Sequence, residues 1–213
     1  GQFREVETLA GIAGGDAQPE QWGAGKIGVD FFDVKSDVEA LLRATGDAQS
    51  FRFVADRHPA LHPGQTARIL RAGTPVGWLG RLHPELEPKL DVTYSAIVFE
   101  IGTESGLRAV VPQYREISRF PAVRRDLAMI VDEAVAVEEL TDCIRRSAGE
   151  LLKEVTVFDI YRGTGIESGR KSVAIGLNLQ DVSRTLTDEV TDAVVAQVVT
   201  DLVRECKATI RDK

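Results

Sequence analysis

The stretch Lys171–Leu179 constrains this chain more than any other. Val173, Ile175, Leu177 and Leu179 alternate with Ser172, Ala174, Gly176 and Asn178. Side chains alternate sides along a strand, so one side here is large and apolar and the other small and bare. Such a strand belongs in a sheet covered by helices on one face and open on the other.

The flanking sequence supplies the rest of that sheet. Asp126–Val131 reads as a strand, and Val137–Ala148 as a helix with Leu140, Ile144 and Ala148 on one face and Gly149 at its end. Val155–Arg162 is a second strand, followed by a glycine-rich turn, Gly163–Gly169, before Lys171–Leu179. Thr187 caps a second helix, with Asp188 and Glu189 favourably placed in its first turn. Val190, Val194, Val198 and Leu202 recur along it every four residues, and Lys207–Arg211 can form a fourth strand. The order βαββαβ is the split, ferredoxin-like arrangement.

The residues before Arg119 read as a separate unit. Lys26–Phe32 suggests a strand, and Asp33–Ala44 a helix, with Asp33 as N-cap, Val34, Val38, Leu41 and Leu42 at helical spacing, and Gly46 as stop. Phe51–Ala55, Thr66–Arg71, Val76–Leu82 and Ser95–Ile101 are expected strands, with a hairpin at Ala72-Gly73-Thr74-Pro75. Leu107–Val111 is expected to be a last strand, followed by a connector. The fold class is therefore α+β: an antiparallel-sheet module over residues 1–117, then a ferredoxin-like domain over residues 118–213.

Composition sets outer bounds. The 213 residues are 43% hydrophobic and 28% charged, as expected of a water-soluble globular chain. No run of about 18 apolar residues is present, so no membrane helix is expected. The first thirty residues lack the basic start and apolar centre of a secretory leader. Opening at Gly1 rather than Met, the chain is expected to be a piece of a longer polypeptide. Cys143 and Cys206 read as separate buried thiols rather than a disulfide, which fits a reducing cytoplasm. The net charge of −7 argues against a general nucleic-acid or DNA binder. From Arg119 onward there are 14 Lys and Arg against 17 Asp and Glu, so an RNA site here would have to be a local patch.

Alternation places Leu127, Met129 and Val131 under the helices, with Asp126, Ala128 and Ile130 on the open side. On Val155–Arg162 it places Phe158 and Ile160 inward, and Val157, Asp159 and Tyr161 outward. The open face then offers a ring and a carboxylate above a floor of small residues. A splayed base needs a flat π-surface and a polar group at its Watson–Crick edge. Tyr161 can supply the first and Asp159 the second. Arg124, Arg125, Arg162, Arg170 and Lys171 stand near the strand ends, where phosphates would pass. Exposed tyrosines and aspartates on strands are common, however, so this pattern by itself leaves the function open.

Other constellations are weaker. His58, His62 and His83 sit in proline-containing loops and read as loop-packing residues, not metal ligands. Gly163-Thr164-Gly165 with Gly169-Arg170-Lys171-Ser172 precedes a strand, not a helix, and reads as a hairpin turn rather than a phosphate loop. No nucleophile-and-base set is apparent.

Four segments occur in order: Phe120-Pro121-Ala122-Val123-Arg124-Arg125-Asp126-Leu127-Ala128, Val157-Phe158-Asp159-Ile160-Tyr161, Gly169-Arg170-Lys171-Ser172-Val173-Ala174 and Arg184-Thr185-Leu186-Thr187-Asp188-Glu189. Together they resemble the ferredoxin-fold anticodon-binding domain of phenylalanyl-tRNA synthetases. Phe31-Phe32-Asp33-Val34-Lys35, His58-Pro59-Ala60-Leu61-His62-Pro63-Gly64 and Gly77-Trp78-Leu79-Gly80-Arg81-Leu82-His83-Pro84 resemble the region of the bacterial β subunit just before that domain. The resemblance implies anticodon contacts through Asp159, Tyr161, Arg124, Arg125 and Ser172, with Arg162, Arg170 and Lys171 near phosphates. It also implies a noncatalytic class II synthetase-like module over residues 1–117. The implied setting is a cytoplasmic enzyme of two α and two β subunits that charges phenylalanine tRNA. ATP and magnesium would act in the assembled enzyme, with no cofactor in this piece. A ferredoxin-like domain that binds a regulatory ligand, or an interaction scaffold, is the alternative.

Overall fold

The computed structural model describes residues 5–23, 25–111 and 117–211. The chain divides into two compact units, Gly1–Tyr114 and Arg115–Lys213.

The first unit contains β1 (Thr8–Ala13), α1 (Phe31–Arg43), β2 (Phe51–Ala55), β3 (Leu61–Arg71), β4 (Thr74–Leu82), β5 (Ile97–Gly102) and a one-turn helix, α2 (Thr103–Gly106). Its five strands form an antiparallel sheet in the order β1-β5-β4-β3-β2. Val34, Val38 and Leu42 of α1 pack on Phe51, Ile69, Val76, Leu79, Ile97 and Ile101 of one sheet face. The β3–β4 hairpin turns at Ala72 and Gly73, both with positive φ (47° and 80°), as a tight two-residue turn requires.

Three expectations for this unit are corrected. Lys26–Phe32 is not a strand, because Phe31 and Phe32 already belong to α1. Asp30, not Asp33, is the N-cap: its carboxylate accepts from the backbone N–H groups of Phe32 and Asp33, and the Asp33 carboxylate accepts from that of Asp30. This reciprocal pair starts the helix two residues early. Leu107–Val111 forms no strand; the Val110 N–H donates to the Thr45 carbonyl at 2.7 Å, where a ladder was expected. The connector after it lies partly at 112–116, outside the described residues. Sequence reading also missed β1, an edge strand that is mostly exposed and so lacks a clear alternation.

The second unit contains β6 (Val123–Asp132), α3 (Val137–Ala148), β7 (Leu152–Tyr161), β8 (Arg170–Leu179), α4 (Asp188–Cys206) and β9 (Thr209–Ile210). The antiparallel sheet runs β7-β8-β6-β9. Met129, Val131, Val173, Ile175, Leu177 and Leu179 are buried beneath Leu140 and Ile144 of α3 and Val198 and Leu202 of α4. The Thr187 hydroxyl accepts from the Val190 N–H at 3.4 Å and caps α4. Asp201 of α4 accepts from Ser147 of α3 at 2.7 Å and from Gln197 at 2.9 Å, and Arg146 pairs with Glu205 at 2.6 Å. Both helices therefore lie on one side and leave the other face of the sheet open.

The cysteines are free. They are not apart in space: Cys206 at the end of α4 lies near Cys143 of α3. Burial pushes the Cys143 thiol up to about 11, which keeps it protonated and unreactive near neutral pH. Among the described residues, no helix is long and apolar enough to cross a membrane.

Candidate nucleic-acid interface

Register defines the open face row by row, because paired residues on neighbouring strands share a side. Arg124 of β6 stands opposite Asn178 of β8, which stands opposite Glu154 of β7. The next row is Asp126, Gly176 and Thr156, followed by Ala128, Ala174 and Asp159, and then Ile130, Ser172 and Tyr161. Small residues thus form the floor on β8, and the groups able to bind a ligand stand on its two neighbours.

One face assignment is corrected. Val157 pairs with Ile175 on the covered side, yet Asp159 pairs with Ala174 on the open side. A bulge between them takes up Phe158 and shifts the alternation by one residue. Val155 and Val157 therefore pack on the core, and Phe158, expected inside, is 51% exposed. The trace in the sequence is the adjacent apolar pair Val157-Phe158, where strict alternation breaks.

Asp159 and Tyr161 lie on the open face as expected. Among the described residues the Asp159 carboxylate has no hydrogen-bond or ion-pair partner. The Tyr161 ring lies against Gly163, where an added Cβ would meet the phenol oxygen at 2.8 Å. Its hydroxyl donates to the Thr164 carbonyl at 3.3 Å, and 42% of the residue stays exposed. Ser172 lies beside Tyr161 but is buried to 7% exposure.

The cations are more constrained than the sequence suggested. Arg124 is on the open face, with its Nε donating to Asp126 at 2.8 Å and its guanidinium carbon 5.6 Å from the Phe158 ring centre. Gly176 leaves room for it: a Cβ there would stand 3.0 Å from Arg124 Nη2 and 3.1 Å from Asp126 Oδ1. Arg125 points the other way, pairing with Asp188 at 2.7 Å and Asp192 at 3.4 Å at the start of α4. Hydrogen bonding to Asp188 raises its pKa further above the ordinary arginine value. Arg125 therefore ties β6 to α4 and does not reach the open face.

Lys171 is likewise corrected. It is buried to 6% exposure and donates to the Glu133 carbonyl at 2.9 Å, which holds its ammonium away from the open face. Arg170 donates to the Ile130 carbonyl at 3.0 Å and to Thr209 at 3.2 Å, holding β8 to β6 and β9. Arg162 is exposed but makes a two-pronged pair with Glu133 at 2.8–3.1 Å. That guanidinium holds the Glu133 carboxyl below its usual range.

In the first unit, an apolar hollow of about 440 Å³ lies beside Leu61, Trp78, Val98 and Phe99. The Trp78 ring at its edge is already engaged. Arg68 lies 3.6 Å over the Trp78 ring and pairs with Asp56 at 3.3 Å. The three histidines share one arrangement: each precedes a proline, and its Nδ1 accepts from the backbone N–H two residues on. The distances are 3.2 Å from Ala60 to His58, 3.0 Å from Gly64 to His62, and 3.3 Å from Glu85 to His83. Among the described residues, no group of three or more His, Cys, Asp or Glu could hold a metal ion.

An open four-stranded sheet backed by two helices, with rings and a carboxylate on one strand, defines a class. Residues 118–211 match the family described as "Ferredoxin-fold anticodon binding domain". Residues 1–103 match the family described as "Phenylalanyl tRNA synthetase beta chain CLM domain". The phenylalanine–tRNA ligase beta subunit of Pseudomonas fluorescens is 47% identical over 209 residues, covering 98% of this chain and 26% of that protein. Those of Nitrosococcus oceani and Methylococcus capsulatus are 44% and 43% identical, covering 99% and 100% of this chain and 27% of each relative. The chain belongs to the family of phenylalanine–tRNA ligase beta subunits and spans about a quarter of the length of these relatives.

Proposed function

We propose that the open face of the second unit binds the anticodon of phenylalanine tRNA while the assembled ligase attaches phenylalanine to it. The observation that carries this is the Asp159 carboxylate, exposed and unpaired among the described residues, two positions before the half-exposed ring of Tyr161. Tyr161 stacks on a base, and Asp159 accepts from imino and amino groups at that base's edge, as on guanine. Ser172 borders the same spot and limits what fits. Arg124 remains the open-face cation for phosphate. Arg162 could reach phosphate only by leaving Glu133; Arg125, Arg170 and Lys171 support the sheet.

On this reading residues 1–117 are a noncatalytic class II synthetase-like module that supports assembly with an α subunit, in a cytoplasmic enzyme of two α and two β chains. ATP and magnesium act in that assembly, and residues 118–213 are the RNA-reading domain. The test is charging of phenylalanine tRNA by the assembled enzyme carrying Asp159→Ala or Tyr161→Ala. Each should lower kcat/KM by an amount corresponding to about 1–3 kcal/mol, the worth of one base contact, with unfolding unchanged. Unaltered charging kinetics in both variants would overturn the proposal.

A further inference from the structure

We propose that Phe158 is a second base-stacking platform, so that β7 holds two splayed bases of one RNA loop, one beside Phe158 and one beside Tyr161. This rests on the RNA reading of the open face and extends it.

Three observations converge on Phe158. First, the bulge between Val157 and Asp159 puts Phe158 and Asp159 on the same open side, while Val155 and Val157 pack on the core, and the ring is 51% exposed. Burying a phenyl group is worth about 1.5–3 kcal/mol, so the exposure forgoes a sizeable stabilisation. Bulges recur where a strand must re-aim a side chain at a ligand. Second, the ring has a positioned cation. Arg124 lies 5.6 Å from its centre, oriented by Asp126 through Nε, over the space that Gly176 leaves clear. Among the described residues the Arg124 Nη groups make no hydrogen bond, so they can reach the phosphate of a nucleotide stacked on Phe158. Third, the two rings are held at different places: Phe158 stands beside Arg124, whereas Tyr161 lies against Gly163 and bonds to Thr164. Each ring therefore takes its own base. Asp159 lies between them, with its carboxylate on the same face.

The experiment titrates the 213-residue chain into RNA stem-loops of the phenylalanine anticodon arm, each carrying 2-aminopurine at a single loop position. Stacking on a ring quenches this fluorophore. The wild-type chain should quench it at two positions. Phe158→Ala and Phe158→Leu should each restore emission at one position, leave the other quenched and weaken binding about tenfold or more, as loss of one base stack does. Tyr161→Ala should restore the other position. Phe158→Leu keeps an apolar side chain without a π-face, which separates stacking from strand packing. If both Phe158 variants leave quenching and affinity unchanged while Tyr161→Ala releases its own position, the second platform is overturned and the anticodon reading stands; Phe158 would then be available to a protein partner. If both variants release both positions together, Phe158 merely holds the strand, and the proposal is again overturned. If the wild-type chain quenches nothing, the anticodon reading fails and this inference fails with it.

Discussion

At the scale of single residues, the open face depends on what has been left small. Gly176 shows this most clearly, because any Cβ at this position meets Arg124 and Asp126 at 3.0–3.2 Å. Those contacts are with side-chain ends rather than backbone, so a substitution displaces them without breaking the sheet. Gly176→Val should therefore stay folded, with a stability change within about 1 kcal/mol by denaturant titration. The same variant should lose RNA affinity, because Arg124 is moved off its place beside Phe158. Full affinity in Gly176→Val would show that Arg124's position does not matter. Lys171 behaves in the opposite way: it is buried and bound to a carbonyl, so its removal should be read in stability first.

At the scale of elements, α3 and α4 hold the covered face through caps and carboxylates. Thr187→Ala removes the hydroxyl that accepts from Val190 and should cost about 1 kcal/mol, measured as a shift in the denaturation midpoint. The pH dependence has a definite sign. Asp201 is held below the usual carboxylate range by hydrogen bonds from Gln197 and Ser147, and Glu205 by Arg204 and Arg146. A carboxyl with a lowered folded pKa contributes stability that is complete above its unfolded value and is lost as pH falls through the folded value. Melting temperature should thus be flat near neutrality and fall on acidification through and below the ordinary carboxylate range. Asp201→Asn should be less stable at neutral pH and show a shallower acid decline; an unchanged acid profile would remove Asp201 from the account.

The elements also show what could be read from sequence. Helix α3 is found at Val137–Ala148, as expected, because an apolar stripe and a closing glycine mark its face and its end. Strand β8 was equally legible, since Val173 to Leu179 alternate without a break. The inward and outward sides of β7 were not, because a bulge is a feature of two strands in register and one strand's alternation does not encode it. Arg125 was misplaced for a related reason: its partners Asp188 and Asp192 lie more than sixty residues later, on a helix whose position only the fold determines. The start of α1 was misread because Asp30 and Asp33 are both good caps, and only their reciprocal bonding shows which one begins the helix.

At the scale of the whole molecule, a chain of net charge −7 is not built to hold RNA by general attraction. Among the described residues most basic groups near the candidate site are paired or bonded within the protein, and Arg124, held by Asp126 through Nε, is the cation presented to the open face. Recognition should depend on stacking and base edges more than on phosphates. Log affinity against log salt should accordingly fall with a slope of only about −1, since each neutralised phosphate on a single strand contributes about −0.7. The most direct measurement of the central claim is a titration of this chain with the anticodon stem-loop of phenylalanine tRNA, beside a stem-loop altered only in its anticodon, at two fixed salt concentrations. The account predicts tighter binding to the unaltered loop at both, a difference that Asp159→Ala and Tyr161→Ala abolish, and a shallow salt slope. Equal affinity for the two loops, or a steep salt dependence untouched by those substitutions, would contradict it.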